Sequence, residues 1–138
     1  MTPPVSRILE TSLYVTNLAR SKAFYTSLFG FAPFMEEERM VALGVPGEGV
    51  LLLFRRGGST QPSPTPGGTI PPHDGHGTQH LCFAIPLASL DDWTERLAHH
   101  GVPLESRVIQ THGGTSLYFR DPDQHSLEIA TPGLWPNY

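Results

Sequence analysis

Cys82 is the only cysteine in 138 residues. No disulfide framework can form within the chain, and nothing calls for an oxidising compartment. Charge is also scarce: Asp, Glu, Lys and Arg make up 16%, against about a quarter in an average domain. Nine Lys and Arg face thirteen Asp and Glu, for a net charge of −4, and the basic residues form no run. That excludes the electrostatic footprint of a nucleic-acid or membrane-surface binder. No stretch approaches the roughly 18 apolar residues that cross a bilayer. The opening Met1-Thr-Pro-Pro-Val-Ser-Arg7 lacks the apolar run of a signal peptide. The expectation is a cytoplasmic protein with no nucleic-acid and no membrane partner.

What the chain has in excess is turn chemistry, with 14 Gly and 14 Pro. Its length suits a single domain, residues 1–138, with a sizeable core. Ile8 to Val15 alternates, which predicts a strand with Leu13 and Val15 on one face and Glu10, Ser12 and Tyr14 on the other. Asn17 is placed to cap a helix over Ala19–Leu28, with Ala23, Phe24 and Leu28 along its apolar stripe, and Gly30 to close it. Strands are expected at Phe31–Met35, Met40–Val45 and Val50–Phe54, the last two joined by the turn Pro46–Gly49.

The same order recurs further on. Gln79–Ile85 reads as a strand, and Ser89 as the cap of a helix over Leu90–His99. Gly101 then ends the helix. Strands follow at Val102–Val108, Ser116–Arg120 and Ser126–Ala130, the last pair joined through Asp121-Pro122-Asp123. The chain is therefore α+β, with two tandem βαβββ modules at about residues 7–56 and 78–131. Between them residues 57–77, rich in Pro, Gly, Ser and Thr, read as a linker loop or lid.

Alternation also sorts the polar side chains. Leu127 and Ile129 face the helix side of the last strand, which leaves Glu128 on the other face. Leu81 and Phe83 do the same for His80 and Cys82. Glu10, His80 and Glu128 thus all point away from the helices. Two carboxylates in a partly enclosed site repel each other, and a divalent cation resolves that cost. Carboxylate plus imidazole suits Zn, Ni, Mn, Fe or Co without ranking them. Three protein ligands leave positions for water or substrate, the catalytic rather than the closed structural pattern. Tyr14 shares the face of Glu10 and is a candidate proton or hydrogen-bond donor. His73, Asp74 and His76 lie in the Gly-rich loop and suggest gating or substrate contact. His125 is expected to fix its turn, and Arg120 to balance an anion or pair with Asp121 or Asp123.

The stretches Leu13-Tyr-Val-Thr-Asn-Leu-Ala-Arg-Ser-Lys-Ala-Phe-Tyr25, Leu28-Phe-Gly-Phe31 and Tyr118-Phe-Arg-Asp-Pro-Asp-Gln-His-Ser-Leu-Glu128 resemble the vicinal oxygen chelate superfamily. That group includes glyoxalases, bleomycin-resistance proteins and extradiol dioxygenases. The resemblance implies curved half-barrel sheets with helices outside, a small-molecule substrate and a homodimer. It places the metal ligands at Glu10, His80 and Glu128, and allows Glu10 or Glu128 to move a proton. The fourth ligand position, a Glu in glyoxalase I, falls on Leu52, which argues against ordinary glyoxalase I activity. The implied function is a metal-dependent enzyme catalysing isomerisation, addition (lyase) or ring cleavage. The alternative is a metal-free protein of the same fold that sequesters a small molecule or antibiotic, with Phe54, Tyr118 and Trp135 lining the groove.

Overall fold

The alternating segments Glu10–Val15 and His80–Ala84 each open a four-stranded mixed sheet. The structure, a computed structural model, describes residues 1–138 and divides into two compact units, Met1–His76 and Gly77–Tyr138. In unit one, β1 (Glu10–Val15) leads into α1 (Leu18–Phe29), then β2 (Ala32–Glu36), β3 (Met40–Val45) and β4 (Gly49–Arg55). The sheet order is β1-β4-β3-β2, and β1 runs parallel to β4. A short hairpin follows, β5 (Ser63–Thr65) with β6 (Gly68–Ile70). Unit two holds β7 (His80–Ala84), α2 (Leu90–His99), β8 (Ser106–Ile109), β9 (Thr115–Arg120) and β10 (Ser126–Ala130), ordered β7-β10-β9-β8. Strand for strand, the two sheets share one topology, so each unit is one βαβββ module.

The registers make the repeat residue-specific. Glu10 pairs with Val50 across β1 and β4, and Ser12 with Leu52. In unit two, His80 pairs with Ser126 and Cys82 with Glu128. Glu10 and His80 therefore occupy equivalent positions, as do Leu52 and Glu128. On β1, Leu13 and Val15 are buried and Glu10 exposed, as alternation requires.

The Asn17 Oδ1 accepts the N–H of Arg20 at 3.0 Å and starts α1; Gly30, at φ 73°, ends it, donating its N–H to the Thr26 carbonyl. The buried face of α1 is Ser21, Tyr25 and Leu28, not Ala23, Phe24 and Leu28. Spaced i, i+4, i+7, that stripe puts a small serine where the helix meets β3 and β4. Counting apolar residues passes over a serine, so the face is rotated by one position. Phe24 instead packs edge-on against Tyr25, with ring centres 5.1 Å apart.

Ser89 makes no side-chain cap. A turn of 3-10 helix, Leu87–Ser89, runs straight into α2, so Ser89 has φ −92° and ψ −2° in place of the extended geometry that a capping hydroxyl needs. Residues 57–77 also differ from a bare linker. The β5–β6 hairpin turns at Pro66-Gly67, and the Thr65 hydroxyl donates to the Gly68 carbonyl at 2.6 Å. Arg39 anchors the segment, donating from Nη1 to the Gly58 carbonyl (3.0 Å) and from Nη2 to Ser63 Oγ (2.9 Å).

Three glycines crowd the start of β9. Gly114 sits at φ 78°, and a Cβ there would lie 2.6 Å from the Thr131 carbonyl oxygen and 2.9 Å from that of Pro132. The approach lets Thr131 Oγ1 accept the Thr115 N–H at 2.8 Å while the Thr131 N–H donates to the Thr115 carbonyl at 3.1 Å.

Candidate functional site

The turn between β9 and β10 sets the site. Asp121 is buried, and its Oδ1 accepts the N–H groups of Asp123 and His125, each at 2.9 Å. This Asx arrangement curls the chain so that Gln124 adopts φ 66° and β10 begins at Ser126. His125 is fully buried, and its Nδ1 accepts the Gln79 N–H at 2.9 Å, while the Ser126 N–H donates to the Gln79 carbonyl at 2.8 Å. These bonds lock β10 against β7 in the register that puts Glu128 beside Cys82 and one pleat from His80. Arg120 takes no part in the turn's acidic residues. It forms a two-pronged pair with Glu105 at 2.6 and 3.0 Å, and that guanidinium holds the Glu105 carboxyl below its ordinary range, chiefly by hydrogen bonding.

Glu128 is 4% exposed, so its carboxylate has left water. Oε2 lies 3.2 Å from His80 Nε2, and Oε1 is buried with no hydrogen-bond partner. The other nitrogen of His80, Nδ1, sits 2.9 Å from the Ser126 carbonyl oxygen. A carbonyl only accepts, so Nδ1 carries the proton, and in the neutral ring Nε2 is a bare lone pair. Two lone pairs 3.2 Å apart repel. An extra proton on Nε2 would cure that contact but leave Oε1 unserved; a divalent cation answers both needs at once. A backbone carbonyl on the far nitrogen is also the arrangement that orients metal-binding histidines. The donor set of His80 and Glu128 therefore fits a divalent metal, which the two side chains would hold together.

Cys82 lies on the same face. Cys82 is exposed at its surface, yet desolvation, then the negative charge of Glu128 and a hydrogen bond to it, push its thiol up to about 12. Thiolate is the nucleophile, so at pH 8 Cys82 is held protonated and inert. Alkylation by iodoacetamide at that pH, followed by mass spectrometry, is expected to run at least about tenfold slower than for free cysteine.

Within neither unit do three His, Cys, Asp or Glu side chains gather as a metal cluster. His73, Asp74 and His76 accordingly form no separate centre. Glu10 belongs to unit one, at the position equivalent to His80, where it lines a cavity of about 880 Å³. Tyr14, Leu52, Phe54 and His73 line the same cavity. Leu52 does face it, so β4 offers no carboxylate there. Tyr14 and His73 meet directly, Oη to Nδ1 at 2.6 Å, and the His73 ring stands edge-on to Phe54 with centres 4.4 Å apart. Sequence reasoning placed Tyr14 on this face and His73 in a gating loop, but the bond between them spans 59 residues and left no local signal. Of the three aromatics expected to line a groove, Phe54 does so here; Tyr118 and Trp135 are not among the residues around this cavity.

Residues 7–129 match the family model described as the glyoxalase/bleomycin resistance protein/dioxygenase superfamily. A lactoylglutathione lyase from Agrobacterium tumefaciens is similar in structure, with a TM-score of 0.88 and 32% identity, over 97% of this chain and 99% of that one. The fosfomycin resistance protein FosX of Listeria monocytogenes shares the fold at a TM-score of 0.65 and 21% identity, covering 97% of each chain. In sequence, 58 residues are 41% identical to the metallothiol transferase FosB of Shouchella clausii, 40% of this chain and 39% of that protein. The chain spans about two fifths of that curated relative. Similar proteins thus include enzymes, and the match to the family model runs through both modules. The chain belongs to the glyoxalase/bleomycin resistance protein/dioxygenase superfamily.

Proposed function

We propose that the protein is a metal-dependent enzyme acting on a small, oxygen-bearing substrate, by isomerisation, addition or ring cleavage. The observation that carries this is the buried Glu128, with Oε1 unpartnered and Oε2 set 3.2 Å from His80 Nε2. Glu10 is the third ligand, and Zn, Ni, Mn, Fe or Co the candidate metals. A FosX variant has been solved with Mn(II) and dihydroxypropylphosphonic acid, which supports a divalent ion on this fold. When bound, such an ion supplies Lewis-acid stabilisation of a developing oxyanion. The chain's own residues do the rest. Burial keeps water from Glu128, the Ser126 carbonyl holds the His80 ring, and Tyr14, bonded to His73, presents a hydroxyl to the cavity. Glu10, exposed on β1, is the carboxylate free to take up a proton if its coordination loosens. Leu52 removes the proton-moving carboxylate of a glyoxalase I, so formation of lactoylglutathione is not the proposed reaction.

The setting is cytoplasmic, in keeping with a single free cysteine; no helix is long and apolar enough to cross a membrane. The working form is a homodimer, and one mixing experiment tells whether Glu10 joins the pair from its own chain or from a second copy. Heterodimers of Glu10→Ala with Glu128→Ala regain one intact site if ligands are shared between chains, and none if each chain is self-sufficient. Metal content decides the proposal as a whole. Freshly purified wild type is expected to carry a divalent metal that Glu128→Ala lacks, and equal, negligible metal in both rejects the enzyme reading.

A further inference from the structure

The face of unit one that corresponds to the metal-binding face of unit two has changed character. Where unit two carries Glu128, unit one carries Leu52, flanked on the same face of β4 by Val50 and Phe54. Met40 and Ala42 continue the apolar surface on β3. Three exposed large apolar side chains, Phe34 at 68%, Ile70 at 53% and Met35 at 48%, line the same cavity. Keeping them together in water is costly, and their convergence on one concavity marks a ligand site rather than scattered surface. Gly44 has a part in this: a Cβ there would collide with the Phe34 ring, so the glycine lets Phe34 lie across β3 as a wall. Polar groups line the edge strand, as Glu10, Ser12 and Tyr14 with His73 on Tyr14, and the opposite rim, as Glu37, Arg39 and Gln61.

We infer that this cavity takes an apolar, ring-bearing organic molecule, its body over Leu52 and Phe54 and an oxygen toward Glu10 and Tyr14. This inference rests on the enzyme reading above and names the substrate class for it. Size supports the choice. About 880 Å³ falls in the range of roughly 300–1,000 Å³ that houses drug-sized ligands, whereas a three-carbon aldehyde or epoxide would leave most of it to water. Enclosure supports it too. Residues 57–76 are folded back on the face, pinned by Arg39 at Gly58 and Ser63 and by His73 at Tyr14 and Phe54. The loop adds Ile70 and Pro71 to the apolar lining.

The test is a fluorescence titration of the full chain with the neutral apolar probe phenylnaphthylamine, with and without added Mn²⁺. Saturable binding at one site per chain is expected. It should weaken roughly tenfold in Leu52→Gln and in Ile70→Gln, and stay unchanged in Ile109→Gln, which alters an equally apolar but unrelated exposed site. Ile70 lies on an exposed hairpin, so that variant answers even if Leu52→Gln misfolds. No saturable binding, or binding that the cavity substitutions leave unaltered, overturns the inference. Mn²⁺ uptake is measured on the same samples by equilibrium dialysis. Probe binding without Mn²⁺ uptake would sink the metal-enzyme reading while leaving the apolar site intact; uptake without probe binding would do the reverse.

Discussion

Replacing Glu128 by Leu is expected to abolish metal binding and, in chelator-treated protein, to raise stability. The first effect follows from loss of a ligand. Removing even a partner of a ligand costs about 10–100-fold in affinity, so loss of Glu128 itself should exceed about 100-fold. The second follows from burial. Without metal, Glu128 is a desolvated carboxylate with one oxygen unpartnered, a cost of about 1–3 kcal/mol that leucine does not incur. The backbone already accepts leucine in this setting, since Leu52 fills the equivalent position of unit one. His80→Ala should share the loss of metal without the gain in stability, since it leaves Glu128 buried and its Oε1 unpartnered. Urea midpoints of the three proteins in chelator, beside metal binding by dialysis, check both effects. A stable wild-type apo protein that Glu128→Leu destabilises would mean that the carboxylate is structural.

Gly114→Ala is expected to cost more than about 3 kcal/mol and to leave little folded protein at physiological temperature. Two effects add. The residue sits at φ 78°, where alanine costs about 1 kcal/mol. The new methyl would also stand 2.6 Å from the Thr131 oxygen and 2.9 Å from the Pro132 oxygen, both backbone atoms that no rotamer change can move. Gly30→Ala separates the two. Gly30 has nearly the same φ, 73°, but nothing lies within 4 Å of its virtual Cβ, so it should lose only the conformational part, about 1 kcal/mol. Denaturant midpoints for both variants measure the difference, which reports the close approach of β9's start to Thr131.

Much of this architecture could be read from residue order alone, because strands declare their faces by a period of two. Alternation alone sorts Leu13 and Val15 against Glu10, and Leu127 and Ile129 against Glu128. The rest depends on contacts that the sequence does not carry locally. The face of α1 turned on a serine, Ser21, buried because it is small. Ser89 lost its capping role to a preceding 3-10 turn. The loop at 57–77 looked structureless by composition, yet Arg39, far from it in sequence, supplies the hydrogen bonds that shape it. Alternation and the vicinal oxygen chelate resemblance both point to Glu10, His80 and Glu128, and the structure sets His80 and Glu128 3.2 Å apart. The direction of the His80 proton, and hence the argument for a cation, needed the Ser126 carbonyl.

The equivalence of Leu52 with Glu128 has a bearing on how such a protein changes over generations. The two modules share a topology but differ here: unit two carries Glu128 where unit one carries Leu52, while unit one keeps Glu10 on β1. On the proposed reading, the residues that would choose a guest, on β3, β4 and the 57–76 loop, differ from Glu10, His80 and Glu128, which would hold the ion. Mutations at Ala42, Leu52 or Ile70 can be sampled without disturbing the Asp121–His125 turn or the His80–Glu128 pair. Such a chain can try new compounds while its chemistry stays in place.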